Sequence, residues 1–460
     1  MIKLLKRQPK VFYASLFGLM VPMILQNLAT QSVALADTFM VGVLGESSLA
    51  AVTLANAPFF VLMVFTFGIQ SGVGILVAQY WGRGNRDAIN RVLGVGLYFA
   101  AVVTIIVGTA ILLFPNQVLG LVTPEKELVL IGAPYARVVA VSQIFSSVNN
   151  IYIAAQRSCG NAKIGVYALT SSSLFNLFGN WVLIFGKFGF PEMGVLGAAV
   201  ATLASRVLES AIVVVYAFRN KHLPLKLKLM LRPGVVIVRD FIKYSLPVVI
   251  NEGLWGVALM LYPVIFGHMT NPAALLAAYT IAGNVEKVFT VAVFATGNAA
   301  AAIIGKELGA GRHDTIYDTG KSLAVIGLLI GVASSALLLV CTLTLIEPVV
   351  YPLFNLSGVA AKGATSMLFV LCACVPLRNL GFAVGIGVLR GGGDVRAMMY
   401  IDVCTLYLLG LPFAAITGLL LGADVAVVYA STLLEEVFKS GLILWRFKSR
   451  KWIKNITREI

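Results

Sequence analysis

Twelve long apolar segments constrain the fold of this chain more than any other feature of its sequence. Each segment reaches or exceeds the roughly 20 residues that an α-helix needs to cross a lipid bilayer. Only 12% of the 460 residues are charged, about half the share found in soluble domains. We therefore predict an all-α integral membrane protein with twelve transmembrane helices. The predicted spans, numbered 1 to 12 in chain order, are at about residues 12–42, 48–80, 90–114, 129–156, 164–186, 195–218, 241–267, 273–305, 317–346, 364–389, 397–421 and 425–445.

The distribution of basic residues supports these spans and predicts their orientation. Most of the 35 Lys and Arg residues lie in the two termini and in every second connection between spans. Outside the spans, the opposite connections contain only Lys126, Lys187 and Lys362. By the positive-inside rule, we expect a multi-pass protein of the cell (inner) membrane with both termini in the cytoplasm. The net charge of +15 follows from this topology, and no nucleic-acid motif accompanies it.

The two halves of the sequence resemble each other over the length of six spans. The aligned residues include Pro22 with Pro247, Arg157 with Arg390, Ala204 and Ser205 with Ala430 and Ser431, and Glu209 with Glu435. Because six is an even number, the two copies are predicted to run in the same direction, related by a pseudo-two-fold axis along the membrane normal. We expect two six-helix lobes with a cavity between them. The predicted divisions are an N-lobe (1–218), a cytoplasmic linker (219–240), a C-lobe (241–446) and a basic cytoplasmic tail (447–460).

Three motifs carry a resemblance to a known family. Leu35–Gly42 reads LADTFMVG, Gly186–Ser205 reads GKFGFPEMGVLGAAVATLAS, and Leu389–Asp394 reads LRGGGD. In this order and in a duplicated chain, they resemble the multidrug and toxic compound extrusion (MATE) transporters. Asn180 stands where some branches have Asp, so the chain is most similar to the NorM-like branch. The resemblance implies a monomeric transporter that needs no cofactor besides a coupling ion.

Asp37 is the first candidate site residue. A charge at the bilayer centre costs about 2.5–3.5 kcal/mol even on a lenient scale, and no basic residue on span 1 can reach this carboxylate. The resemblance implies that Asp37 binds the coupling cation together with Asn176, Asn180 and Thr202 from spans 5 and 6. One carboxylate with amide and hydroxyl oxygens is a suitable ligand set for a hard cation such as Na⁺. The alternative is a polar cluster that only joins the three helices.

Glu252 on span 7 is the second candidate. The resemblance implies that it binds the coupling ion or a cationic substrate in the C-lobe cavity. Relatives commonly pair this Glu with an Asp on span 10, but the aligned residue here is Asn379, so we expect Glu286 to act as the second acid. Further candidates for the same cavity are Asn251, Trp255 and Tyr279. For the aromatic residues, ordinary helix packing is the alternative.

Helical spacing pairs most of the other intramembrane charges. Lys439 can reach Glu435 or Glu436, and Arg206 can reach Glu209, because residues three or four positions apart share a helix face. These pairs are expected to help pack the helices.

Together these features predict an antiporter that exports amphipathic organic cations in exchange for Na⁺ or H⁺. A flippase for lipids or lipid-linked precursors of the same superfamily is the alternative. Such a flippase would need a cationic cavity, whereas acids outnumber bases in the predicted spans. An enzyme is disfavoured, because His222 and His313 lie in loops and no nucleophile and base pair lies in a span.

Overall fold

The computed structural model describes residues 8–123, 125–353 and 358–458. Within these ranges all regular secondary structure is helical, so the predicted all-α fold is confirmed. The first seven residues of the predicted N-lobe and the last two of the predicted tail lie outside the described residues.

The N-terminal half of the chain forms long helices with short connections. A five-residue helix, α8, then lies in the linker. The helices up to the linker are α1 (Lys10–Gly42), α2 (Glu46–Gly82), α3 (Arg86–Leu113), α4 (Pro115–Gly120), α5 (Lys126–Ser158), α6 (Lys163–Ile184), α7 (Gly194–Arg219) and α8 (Leu227–Leu231).

The C-terminal half has more interruptions, and four of its connections are π-helical turns. The helices are α9 (Val235–Gly267), α10 (Pro272–Phe289), α11 (Val291–Gly309), α12 (His313–Cys341), α13 (Tyr351–Leu353), α14 (Gly358–Gly381), α15 (Val395–Thr405), α16 (Leu411–Ala415), α17 (Val425–Tyr429) and α18 (Ser431–Lys448). The π-helical turns are Thr342–Val350, Phe382–Arg390, Leu406–Gly410 and Ile416–Leu420.

All twelve predicted spans are helical, although span 8 is divided at Thr290 into α10 and α11. Among the described residues, ten helical segments are long and apolar enough to cross a membrane by length and composition. Spans 5 and 12 are not among the ten. The Ser and Asn residues of α6 and the charges of α18 interrupt the apolar sequence of these two helices. Asn176 and Asn180 of the first candidate site lie on α6.

The contacts of the chain define two compact units. The N-unit comprises Pro22–Val249, and the C-unit comprises the described residues up to Val21 together with those from Ile250 onward. The boundaries therefore fall inside α1 and α9 instead of in the linker. The division into lobes at residues 218 and 241 stays a prediction.

Two glycines on α2 explain why the first part of α9 belongs to the N-unit. A Cβ atom at Gly72 would lie 1.6 Å from Ser245 Oγ, and one at Gly68 would lie 2.5 Å from Val249 Cγ2. The two helices therefore approach more closely here than side chains on α2 would permit. A spacing of four between small residues is a common basis for such contacts in membranes.

Each unit has its own apolar core. In the N-unit, α2, α4 and α5 meet around the buried side chains of Leu62, Leu119 and Ala136. In the C-unit, α9 and α14 meet around Phe266 and Met367. These cores fix the helices that carry the polar side chains described below.

The predicted basic tail packs onto the C-unit. Trp452 is fully buried, its ring stacks on Phe447 with centroids 5.7 Å apart, and its indole nitrogen donates to the Phe447 carbonyl at 3.0 Å. Asp394, in the connection after α14, accepts hydrogen bonds from Arg446 at 2.6 Å and Lys454 at 2.5 Å. The tail thus fastens the connection that begins directly after Arg390.

Candidate ion and substrate sites

The structure brings together the four residues predicted for the first site, which we call the N-unit polar cluster: Asp37, Asn176, Asn180 and Thr202. Asn180 Nδ2 donates to Asp37 Oδ1 at 2.6 Å. When the Asn176 amide is oriented so that both its nitrogen and its oxygen have hydrogen-bonding partners, Asn176 Nδ2 lies 3.1 Å from Asp37 Oδ2. Thr202 Oγ1 lies 3.3 Å from the Asn176 amide. Helices α1, α6 and α7 therefore converge on one carboxylate.

The Asp37 carboxylate has no ion-pair partner among the described residues. Arg206 interacts with it electrostatically, but the Arg206 guanidinium is paired with the buried Glu209 at 2.6 Å, as the spacing predicted. Asn180 Oδ1 is buried and accepts no hydrogen bond from the part of the chain that the structure describes. An acid with free oxygen acceptors beside it can hold a proton or a hard monovalent cation.

No group of three or more His, Cys, Asp or Glu side chains within the described ranges could hold a metal ion. The N-unit polar cluster has a different composition, with one carboxylate and neutral oxygen atoms. Such a set suits a monovalent alkali cation better than a transition metal, which prefers imidazole and thiolate ligands.

The second site centres on an arginine that sequence reasoning did not connect with it. Arg390 Nη1 donates to Glu252 Oε1 at 2.9 Å, and Arg390 Nη2 lies 3.6 Å from Asp402 Oδ2. Its side chain is only 3% exposed. Asn251 Nδ2 also donates to Asp402 Oδ2, at 3.2 Å. Glu252 is thus compensated by an internal cation.

A lysine and a second arginine extend this group of ion pairs. Lys439 Nζ lies 2.9 Å from Glu436 Oε1, 3.2 Å from Glu435 Oε1 and 3.9 Å from Asp402 Oδ1. The predicted pairing of Lys439 along its own helix is therefore confirmed. Arg378 Nε donates to Glu436 Oε1 at 3.2 Å, and its Nη1 donates to Glu286.

These contacts form an unbroken series of ion pairs that we call the C-unit charge network. Its members are Glu252, Glu286, Arg378, Arg390, Asp402, Glu435, Glu436 and Lys439. Five of them are carboxylates and three are basic. Since uncompensated charge in a membrane protein is costly, the surplus of carboxylates favours the binding of protons or cations.

The remaining predicted residues lie at different distances from this network. Tyr279 packs edge-on against Tyr429 with centroids 6.5 Å apart, and the Tyr429 hydroxyl donates to Glu286 Oε2 at 3.4 Å. Asn379 is fully buried, packs against Gly331 of α12, and its amide has no partner in the described part of the chain. Trp255 is 46% exposed. The structure thus joins Glu252, Asn251 and Glu286 through the network, whereas within the described residues Asn379 and Trp255 form no side-chain hydrogen bond or ion pair with it.

Arg390 was missed because the sequence placed it in a loop. The π-helical turn Phe382–Arg390 extends α14 and ends at this residue, which is buried. Turns of this kind are frequent at functional sites. Two features of the sequence could have indicated Arg390. A carboxylate within a span needs a counter-charge, and Arg390 lies in one of the motifs that carry the family resemblance.

Comparison with known proteins places the chain in a family. The sequence profile of the MatE family matches residues 22–182 and 247–416, one stretch in each half of the chain. The chain belongs to the MatE family. Its members are transporters, and the predicted resemblance is confirmed. The chain is thus a multi-pass membrane protein of a transporter family.

Individual relatives cover nearly the whole chain. It is 24% identical over 456 residues to a probable multidrug resistance protein NorM of Thermotoga maritima, covering 96% of this chain and 94% of the relative. It is 26% identical to the multidrug resistance protein MdtK of Pectobacterium atrosepticum, covering 86% of each chain. A solved structure of a MOP superfamily transporter from Pyrococcus furiosus has the same fold, with a TM-score of 0.84, 21% identity, and coverage of 97% of this chain and 98% of that one.

Proposed function

We propose that the protein is a secondary active multidrug efflux antiporter, which exports amphipathic organic cations in exchange for Na⁺ or H⁺ by alternating access. The sign of the C-unit charge network is the observation that carries this proposal. Its five carboxylates outnumber its three basic groups. A cationic cargo compensates this surplus, whereas an anionic cargo would add to it.

Three carboxylates of the network are the most accessible to a cargo. The side chains of Glu286, Asp402 and Glu252 are 26%, 23% and 16% exposed, compared with 5% for Glu436. The aromatic ring of Tyr279 lies near the Glu286 end through its contact with Tyr429. Carboxylates next to aromatic faces favour organic cations, because both attract positive charge.

The N-unit polar cluster is the proposed site of the coupling ion. Asp37 supplies one negative charge, and the amide and hydroxyl oxygens of the cluster supply neutral ligands. A proton would neutralise the Asp37 carboxylate directly. Na⁺ would be held by the carboxylate together with the oxygens of Asn176, Asn180 and Thr202. Either ion removes the same charge from α1, so both remain candidates for the exchange.

The experiment described below also tests the alternative function, a flippase for lipids or lipid-linked precursors. The transporter from Pyrococcus furiosus is described as having a binding pocket of reverse polarity that suggests a different function. A flippase for a pyrophosphate-linked lipid would be expected to carry a surplus of basic groups. The acidic surplus of the C-unit charge network favours cationic cargo.

The proposed setting is the cell (inner) membrane, with a monomer whose termini are both cytoplasmic. The basic residues of the termini and of alternate connections support this orientation. The proposal includes no cofactor besides the coupling ion.

Transport in proteoliposomes tests this function. Purified protein would be reconstituted with ethidium, and efflux would be followed after imposing a Na⁺ gradient or a pH gradient separately. We expect at least one gradient to drive efflux above that of protein-free vesicles. Flipping of fluorescent lipid would be measured in the same preparation. Lipid flipping without ion-driven ethidium efflux would overturn the antiporter and support the flippase.

Substitution of Glu252 tests the C-unit as the cargo site. Glu252→Gln removes one carboxylate, and a carboxylate and a cation about 4 Å apart attract by roughly 4 kcal/mol at an effective dielectric near 20, before desolvation. We expect ethidium to bind at least about tenfold more weakly, equivalent to about 1.4 kcal/mol. The matched control is Glu347→Gln, because Glu347 is hydrogen-bonded to Thr365 and is not part of the network. Equal ethidium affinity of wild type and Glu252→Gln would rule out this role.

A further inference from the structure

A groove on the surface of the N-unit has no part in the proposed transport cycle. It lies between α6 and α7 and has a volume of about 510 Å³. Ile164 and Tyr167 form one wall, and the face of α7 from Ala211 to Arg219 forms the other. The lining is almost entirely apolar, so it suits a hydrocarbon chain.

The groove is continuous with a surface that faces lipid in a membrane-spanning protein. On α7, Val214, Val215 and Phe218 are 45%, 52% and 67% exposed. An apolar surface of this kind on a transmembrane helix is covered by acyl chains. A ligand can therefore enter the groove sideways from the bilayer.

One end of the groove is basic. Arg219 is the last residue of α7 and lines the groove, and Lys163 is the first residue of α6, next to the lining residue Ile164. Because α6 and α7 are joined by a short connection and run antiparallel, these two residues lie at the same end. Both are exposed, and neither forms an ion pair within the described residues. They can therefore bind a phosphate group.

A tyrosine between the apolar part of the groove and its basic end is held in place by a hydrogen bond. Tyr216 lines the groove, and its hydroxyl accepts a hydrogen bond from Asn161 Nδ2 at 2.5 Å. Tyr167, on the other wall, is 65% exposed. Tyrosine and basic residues together are typical of the level at which lipid headgroups meet the hydrocarbon layer.

We propose that this groove is a binding site for an anionic phospholipid, with one acyl chain lying between α6 and α7 and the phosphate bound by Arg219 and Lys163. The apolar walls select a lipid chain, and the two basic residues select a net negative headgroup. A cationic drug would be repelled from the basic end. The bound lipid would stabilise the pairing of the two helices that carry Asn176, Asn180 and Thr202.

Native mass spectrometry of the delipidated, detergent-solubilised protein tests the site. Phosphatidylglycerol and phosphatidylcholine with the same short acyl chains would be titrated separately. We expect wild type to bind phosphatidylglycerol about 30-fold more tightly, which is roughly fivefold for each basic residue. Equal affinity for the two lipids would overturn the proposal. The proposal would also be overturned if inorganic phosphate changed the affinity for phosphatidylglycerol to the same extent in Arg219→Gln and in wild type.

Two kinds of variant locate the binding. The double variant Arg219→Gln, Lys163→Gln should lose the preference for phosphatidylglycerol, whereas the control Lys221→Gln, Lys228→Gln, which removes two linker charges outside the groove, should keep it. Ala211→Trp should fill the groove and weaken binding of both lipids at least tenfold. The proposed lipid site would be contradicted if the control variant lost the preference for phosphatidylglycerol and the double variant kept it. Undiminished lipid binding by Ala211→Trp would also contradict it.

Discussion

Replacing Arg390 by methionine should destabilise the C-unit strongly, because it leaves two carboxylates without their shared cation. Arg390 lies 2.9 Å from Glu252 and 3.6 Å from Asp402. At an effective dielectric near 20 these contacts correspond to attractions of about 6 and about 5 kcal/mol before desolvation is subtracted. Breaking a buried ion pair by removing one partner costs about 3–5 kcal/mol. We expect Arg390→Met to lower the free energy of unfolding by that amount.

A double-mutant cycle separates this effect from loss of packing. Glu252→Gln alone should cost less, since Arg390 keeps its contact with Asp402. In the double variant Arg390→Met, Glu252→Gln, the loss should be smaller than the sum of the two single losses by at least about 1 kcal/mol. Unfolding of the purified protein in mixed micelles, followed by tryptophan fluorescence, would provide the three values. Additive losses within about 0.5 kcal/mol would refute the ion pair as the reason.

Two further predictions concern packing. Trp452→Ala should lower the free energy of unfolding by about 3–5 kcal/mol, because it removes a fully buried indole. The control Trp445→Ala, at a position that is 67% exposed, should change the free energy of unfolding little. Similar losses in the two variants, measured by the same unfolding assay, would argue against the packing of the tail onto the C-unit. Gly72→Leu should reduce the yield of monodisperse protein on size-exclusion chromatography, because a side chain there would collide with Ser245, whereas Gly18→Leu has open space around it and should behave like wild type. Wild-type yield of Gly72→Leu would contradict the close contact.

The helices could be predicted because bilayer thickness fixes their length and apolarity. The break at Thr290 was not predictable in this way, because α10 and α11 are both apolar and only their cap geometry separates them. The unit boundaries inside α1 and α9 were not predictable either. The boundary inside α9 depends on the close approach of Gly68 and Gly72 to that helix, which is a tertiary contact.

The candidate sites show the same division between local and long-range information. Lys439 with Glu436, and Arg206 with Glu209, could be predicted because helical periodicity brings together residues three positions apart. The pairing of Arg390 with Glu252 joins residues 138 positions apart and requires the π-helical turn at the end of α14. The residues of the N-unit polar cluster come from three separate helices, so helical periodicity could not bring them together. They were predicted from the family resemblance instead.

Ion-driven efflux by Asp37→Asn tests the central claim most directly, because Asp37 is the proposed carboxylate for the coupling ion. Proteoliposomes with equal amounts of folded wild type, Asp37→Asn and the control Asp87→Asn would be compared under the gradient that drives wild-type efflux. Asp87 lies at the start of α3, where its side chain is 52% exposed and paired with Lys226. We predict that Asp37→Asn still binds ethidium but loses gradient-driven efflux, while Asp87→Asn transports like wild type. Gradient-driven efflux by Asp37→Asn at the wild-type rate would contradict the proposed coupling site.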